Sequence, residues 1–121
     1  MRAILNTKSA SEFESVIDRI CVAFLNQLDG QYEDVLQSLQ NARRNVDNSE
    51  NLRAICAIAH KIAGIAKSVG FPELGGDAFN VDKLIMKFLS DEKSKPSEDE
   101  VFSAVNVFLQ SCENALADPR L

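Results

Sequence analysis

Residues 51–70 read NLRAICAIAHKIAGIAKSVG, from Asn51 to Gly70, and contain the single histidine of the 121-residue chain, His60. Leu52, Ile55, Ala59, Ile62, Ala66 and Val69 recur at spacings of three and four, the stripe of a helix with one face in a core. At about 100° per residue, His60 lies beside that stripe and shares a lightly built polar face with Arg53, Gly64 and Lys67. Gly64 stands out there. Glycine inside a helix costs about 1 kcal/mol relative to alanine, and the neighbouring Ala63 and Ala66 show that alanine suits the stretch. Either two helices cross closely at this point, or the missing side chain keeps one side of the imidazole open.

Outward from this helix the same periodicity recurs. Ser11 with Glu14 matches a capping box, and Phe13, Ile17, Ile20, Phe24 and Leu28 follow at helical spacing. The stripe continues in phase past Gly30 through Tyr32, Val35, Leu39 and Ala42, which predicts one helix from about Ser11 to about Asn45 with Gly30 as a weak point. Met1 to Lys8 is a short segment whose Ile4 and Leu5 could cap one end of the core. Residues 46–50, VDNSE, form a turn in which Asn48 or Ser49 can cap the His60 helix. Gly70 closes that helix, and Pro72 takes a first helical position in the next. Leu74, Ala78, Val81, Ile85 and Phe88 mark this third helix, which ends near Leu89.

Residues 90–96, SDEKSKP, read as a charged, solvated loop. Ser97 with Glu100 is a second capping box, and Val101, Val105, Phe108, Cys112 and Ala115 carry a fourth helix to about Ala117. No stretch alternates like a strand. The predicted fold class is therefore all-α: one domain over 1–121, an antiparallel up-down four-helix bundle with a long first helix. A short N-terminal segment, 1–10, could pack across one end.

Composition restricts the partners. With 45% hydrophobic and 26% charged residues the chain suits one globular core, and a net charge of −5 argues against a nucleic-acid or anionic-membrane surface. Another protein or a small ligand remains. Cys21, Cys56 and Cys112 are odd in number, far apart and in no C-x-x-C arrangement, as expected of reduced, inert core thiols in a cytoplasmic protein. No apolar run reaches the length of a membrane span, and Met1 to Ala10 lacks the pattern of a signal peptide. The expectation is a cytoplasmic monomer.

A lone histidine argues against metal-ligand clusters and gives little to a Ser-His-Asp or Cys-His enzyme. The Glu-x-x-His of di-iron bundles is absent too, because Ala57 stands three before His60. No metal or cofactor is expected. What one exposed imidazole can do is act as a nucleophile, since with an ordinary pKa of about 6.5 it keeps a free lone pair on one ring nitrogen at pH 7. That nitrogen can take up and pass on a phosphoryl group. It requires an accessible ring, a partner for the other nitrogen's proton, and positive charge near the phosphoryl oxygens.

The string AHKIAGIAKSVGF, Ala59 to Phe71, resembles the signature of histidine-containing phosphotransfer (HPt) domains. Ala59 and His60 supply its Ala-His pair, Ile62 the aliphatic position, Gly64 its glycine, Ala66 its small residue and Gly70 the helix-ending glycine. The resemblance implies a four-helix bundle whose His60 is phosphorylated, with no ATP site of its own. It also implies partners: the receiver domains of a hybrid histidine kinase and of a response regulator, which would bring Mg²⁺.

If the chain reverses around Phe71, position 82 returns to the level of His60, and Asp82 stands there. The family often has Gln or Glu at that spacing to accept a hydrogen bond from Nδ1, leaving Nε2 as the phosphoryl acceptor. Asp82 looks like a shorter version. The alternative is a plain surface carboxylate, with Asn80 or Phe79 nearer the ring. The family usually places Lys or Arg three residues after the histidine, where this chain has Ala63. Lys67, about 20° from His60 in azimuth, and Lys61, about 100° away, remain to serve phosphoryl oxygens or an acidic partner.

The expected docking patch is the His60 face opened by Gly64 and Ala63 and bordered by the first helix and the helix of Asp82, with exposed apolar residues around it such as Phe13 or Ile17. A phosphate-free helical adaptor using the same face is the rival reading. A small phosphohistidine-dependent transferase ranks third, since it would need a pocket with a second catalytic group.

Overall fold

The computed structural model of the chain describes residues 2–44 and 48–121, with side chains over 14–44 and 48–121. It holds four helices: α1, Arg2–Arg44; α2, Ser49–Ile65; α3, Pro72–Leu89; and α4, Glu98–Leu116. No strand occurs among the described residues. α2 packs between α1 and α3, and α4 packs between α3 and α1, an all-α arrangement consistent with a four-helix bundle. The core is built from the periodic stripes. Leu28, Val35 and Leu39 of α1, Leu52, Ile55 and Ile62 of α2, Val81 and Ile85 of α3, and Val101, Val105 and Phe108 of α4 are all buried. Each such side chain contributes about 1.5–3 kcal/mol by leaving water.

α1 departs from its predicted boundaries. It is already helical at Arg2, so Ser11 and Glu14 do not start it, and residues 2–10 continue the helix instead of forming a separate segment across the bundle end. A capping box marks where a helix can begin. With no glycine or proline between Arg2 and Phe13, nothing obliges it to begin there. The other end, expected at Asn45, lies outside the described residues, and Arg44 is the last described helical position. Gly30 causes no break.

Length explains a second departure. At about 1.5 Å per residue α1 spans about 65 Å, whereas the 17 residues of α2 span about 26 Å. Phe24 stacks on Phe71 at the α2–α3 turn, with ring centroids 5.8 Å apart, and Arg120, beyond α4, reaches Asp18 at 3.4 Å. Ile17 and Ile20 belong to the stripe by spacing, yet both are exposed, because α1 there has outrun its neighbours. The side chain of Phe13 lies outside the described residues.

The turn from α2 to α3 sets the site. The regular part of α2 ends at Ile65, and the chain closes through Gly70 N–H to the Lys67 carbonyl at 3.3 Å and Phe71 N–H to the Ala66 carbonyl at 2.8 Å. That pair of bonds is a Schellman closure, and it places Gly70 at φ 98°, a left-handed backbone that glycine adopts without penalty. Pro72 then opens α3. At the other end of α2, Asn48 occupies the capping position, but its side chain makes no cap. Its Nδ2 donates instead to Glu98 of α4 at 3.2 Å. Ser97 does cap α4, accepting from the Glu100 N–H at 3.1 Å.

Two glycine substitutions should move stability in opposite directions. Gly70→Ala should lower it by about 1–2 kcal/mol through left-handed strain. Gly30→Ala, where an added Cβ meets open space on an exposed helical position, should raise it by about 0.5–1 kcal/mol. Urea-denaturation midpoints of the two variants check both.

Candidate functional site

His60 sits on α2, and α3 supplies its partner. The His60 side chain is 77% exposed, whereas the Asp82 side chain facing it from α3 is only 10% exposed. His60 Nδ1 and Asp82 Oδ2 are 2.9 Å apart. The other carboxylate oxygen, Oδ1, accepts a hydrogen bond from the Cys56 thiol at 3.1 Å. Burial pushes the Asp82 pKa up, but the hydrogen bonds from His60 and Cys56 outweigh it, and the carboxyl ends below its ordinary range. It is therefore an ionised acceptor at neutral pH. An acceptor-only carboxylate leaves the neutral ring one arrangement: Nδ1 carries the proton and donates, and Nε2 keeps its lone pair.

Two grooves flank the ring. One, of about 650 Å³, is lined by His60, Asp82, Arg53, Lys61, Met86 and Leu89, among others. The second, of about 370 Å³, joins His60 to Ala63, Gly64, Phe79, Asp82, Lys83 and Met86. Gly64 has nothing within 4 Å of where a Cβ would stand, so no helix crossing requires it, and the space beside the imidazole is open to solvent. Close packing falls instead on Gly75 of α3, whose added Cβ would come within 2.9 Å of the Lys67 Cγ.

Against known proteins, the family model described as Hpt domain matches residues 23–118. The chain belongs to the Hpt domain family. Comparison with curated proteins and with solved structures returned no match. Hpt domains are phosphocarriers of two-component signalling, not catalysts in their own right, so the family gives the chain a phosphotransfer-related role.

Within this Hpt domain the charged residues fall unevenly around the ring. Lys61 lines the larger groove together with Arg53, and Lys83 lines the smaller one. Lys67 lines neither of the two; its stem passes beside Gly75. The helical wheel favoured Lys67 by azimuth, but the wheel ignores the neighbouring helix, and α3 occupies the space along which the Lys67 stem runs. Lys83, adjacent to Asp82, was not singled out from sequence, though the chain reversal that brings Asp82 to His60 also brings its neighbour.

The apolar edge of the site also comes from α3. Phe79 is 53% and Met86 61% exposed, and both border His60. Ile17 is exposed on α1 but lines neither groove, and Phe13 cannot be placed because its side chain lies outside the described residues.

The three cysteines are free thiols. Cys21 and Cys112 are sunk in the core, and Cys56 is part-buried, packed against the core with its thiol hydrogen-bonded to Asp82, so Cys56 has a polar contact that the expectation of inert core thiols did not include. Its position one turn before His60, on the same face of α2, was the available signal. Among the described residues no group of three His, Cys, Asp or Glu side chains could hold a metal ion, and no helix is long and apolar enough to cross a membrane.

The lowered Asp82 pKa has a pH signature of definite sign. The stability it contributes is fully present above the unfolded carboxyl's pKa of about 4 and is lost as pH falls through the lower folded value. The stability gap between wild type and Asp82→Ala, measured by urea titration, should therefore shrink between about pH 5 and about pH 3. A gap that widens over that interval contradicts the assignment.

Proposed function

We propose that this Hpt domain is a phosphorelay intermediate in which His60 carries the phosphoryl group between two receiver domains, one on a hybrid histidine kinase and one on a response regulator. The observation that carries the reading is the exposed His60 ring with Nδ1 held against Asp82, which leaves Nε2 pointing at solvent with its lone pair free. In the first step that lone pair bonds to phosphorus as the bond from phosphorus to the donor's aspartyl oxygen breaks, releasing the donor carboxylate. The ring then carries positive charge, with its proton still on Nδ1. Asp82 stands where that charge develops and stabilises it. In the second step an aspartate of the acceptor attacks, and the electron pair of the N–P bond returns to Nε2.

The receiver would bring Mg²⁺ and the groups that activate its own aspartate, so the Hpt domain's part is presentation. Phe79 and Met86 give an apolar seat beside the ring, and Gly64 and Ala63 leave it open. Lys61, Arg53 and Lys83 supply a cationic edge for the phosphoryl oxygens in an otherwise acidic chain, in place of the basic residue absent at Ala63. Lys67, whose stem passes beside Gly75 and which lines neither groove, is left to an acidic partner's surface and not to the phosphoryl oxygens.

An antiparallel up-and-down bundle belongs to the same reading. Cys56 and His60 pair with Asp82 while Ala66 and Lys67 approach Gly75, so positions fall along α3 as they rise along α2. In that arrangement the Phe24–Phe71 level separates Ile17 from His60, with about 10 Å of helix rise on one side and about 16 Å on the other. The seat is then formed by α2 and α3, on a monomer working in the cytoplasm with its partners.

Incubation with a ³²P-labelled receiver tests the reading. Wild type should gain acid-labile label, and His60→Gln should gain none at unchanged helical content. Gly64→Phe should fold normally yet lose transfer at least about ten-fold through a blocked seat. A wild-type chain that binds the phosphorylated receiver without acquiring label would favour the phosphate-free adaptor instead.

A further inference from the structure

Asp82 presents two oxygens to α2, and only one of them meets the imidazole. Oδ2 lies 2.9 Å from His60 Nδ1, whereas Oδ1 lies 3.1 Å from Cys56 Sγ, which also stands 3.6 Å from the Asp82 backbone oxygen. Cys56 precedes His60 by one helical turn, so both side chains leave α2 on the side of α3. A carboxylate held at one oxygen can still turn about its Cβ–Cγ bond, since that torsion is broad. Held at both oxygens by donors one turn apart on a rigid helix, it has one orientation.

We propose that Cys56 is a positioning residue that acts on His60 through Asp82: its S–H donates to Oδ1 and fixes the carboxylate plane that keeps the imidazole proton on Nδ1. Its consequence for transfer rests on the relay reading; its consequence for the ring does not.

The chemistry of the pair suits this task. Burial pushes the Cys56 thiol up to about 12, with the hydrogen bond and charge of Asp82 adding to the rise, so the sulfur keeps its proton at neutral pH. Asp82 meanwhile stays ionised. A thiol is a weak donor to a neutral oxygen, but here the acceptor carries the charge, which strengthens the bond. An aspartate has fewer torsions to fix than a glutamate or glutamine, and Cys56 fixes the last of them.

The single histidine makes the test direct, because ¹⁵N spectra of the ring contain one pair of signals. In wild type the neutral ring should show a protonated Nδ1 and an unprotonated Nε2. Cys56→Ala and the bulkier Cys56→Val, both without a donor, should shift those signals toward the opposite tautomer, while Cys56→Ser should retain the wild-type pattern. Transfer from a phosphorylated receiver should fall about five-fold in the donor-free variants, the equivalent of one ordinary net hydrogen bond, and stay within about two-fold for Cys56→Ser. Combined with Asp82→Ala, Cys56→Ala should add no further loss, because its effect passes through that carboxylate.

Wild-type ring signals and transfer in both donor-free variants would overturn the proposal while leaving the relay intact. A tautomer shift in those variants, in a wild type that accepts no label, would uphold the clamp and overturn the relay.

Discussion

The carboxylate of Asp82, caught between α3 and two side chains of α2, is the constraint from which the rest of the site follows. A side chain so little exposed needs hydrogen-bond donors for both oxygens, and α2 supplies them from residues one turn apart, Cys56 and His60. Meeting that need agrees with the rotation that the packed core gives α2 against α3 and puts the proton of the neutral imidazole on Nδ1. Both depend on the turn between the helices. Gly70 in a left-handed conformation and Pro72 at the start of α3 return the chain so that position 82 arrives beside position 60.

Around this contact the chain separates what must be rigid from what must be reached. The Leu52, Ile55 and Ile62 face of α2 is buried, which prevents the helix from turning, and the imidazole leaves from the adjoining strip into solvent. Most large apolar side chains of α2, α3 and α4 go inward, yet Phe79 and Met86 stay out beside the ring. Exposed apolar surface grouped beside one exposed imidazole fits a seat for another protein, where the same residues scattered singly would mean little. The charge distribution follows the same division: an acidic chain overall, with Arg53, Lys61 and Lys83 at the grooves.

Helical periodicity carried most of the fold. Every stripe residue named on α2 and α4 is buried or half-buried, because the spacing of apolar residues within a helix is a local property that any bundle partner will satisfy. The stripe fails at Ile17 and Ile20, where the pattern persists but no helix is there to cover it, and sequence periodicity carries no information about how far the neighbours extend. The same limit appears at Ser11, a legitimate capping signature that α1 passes through.

The sequence by itself determined that this chain is helical and that His60 stands beside the buried stripe, since both follow from the 3.6-residue period; it brought Asp82 to the level of His60 only if the chain reverses around Phe71, with Asn80 and Phe79 as the alternatives. Only the tertiary structure decided three other matters. It showed that Gly64 faces open space and not a crossing helix, that Lys61 and Lys83 border the ring while the Lys67 stem lies along α3, and that Cys56 holds the second oxygen of Asp82. Each depends on which atoms of one helix meet those of another. A helical wheel places residues around a single axis, and side-chain contact across two axes is set by their spacing and rotation, which packing of the whole core determines.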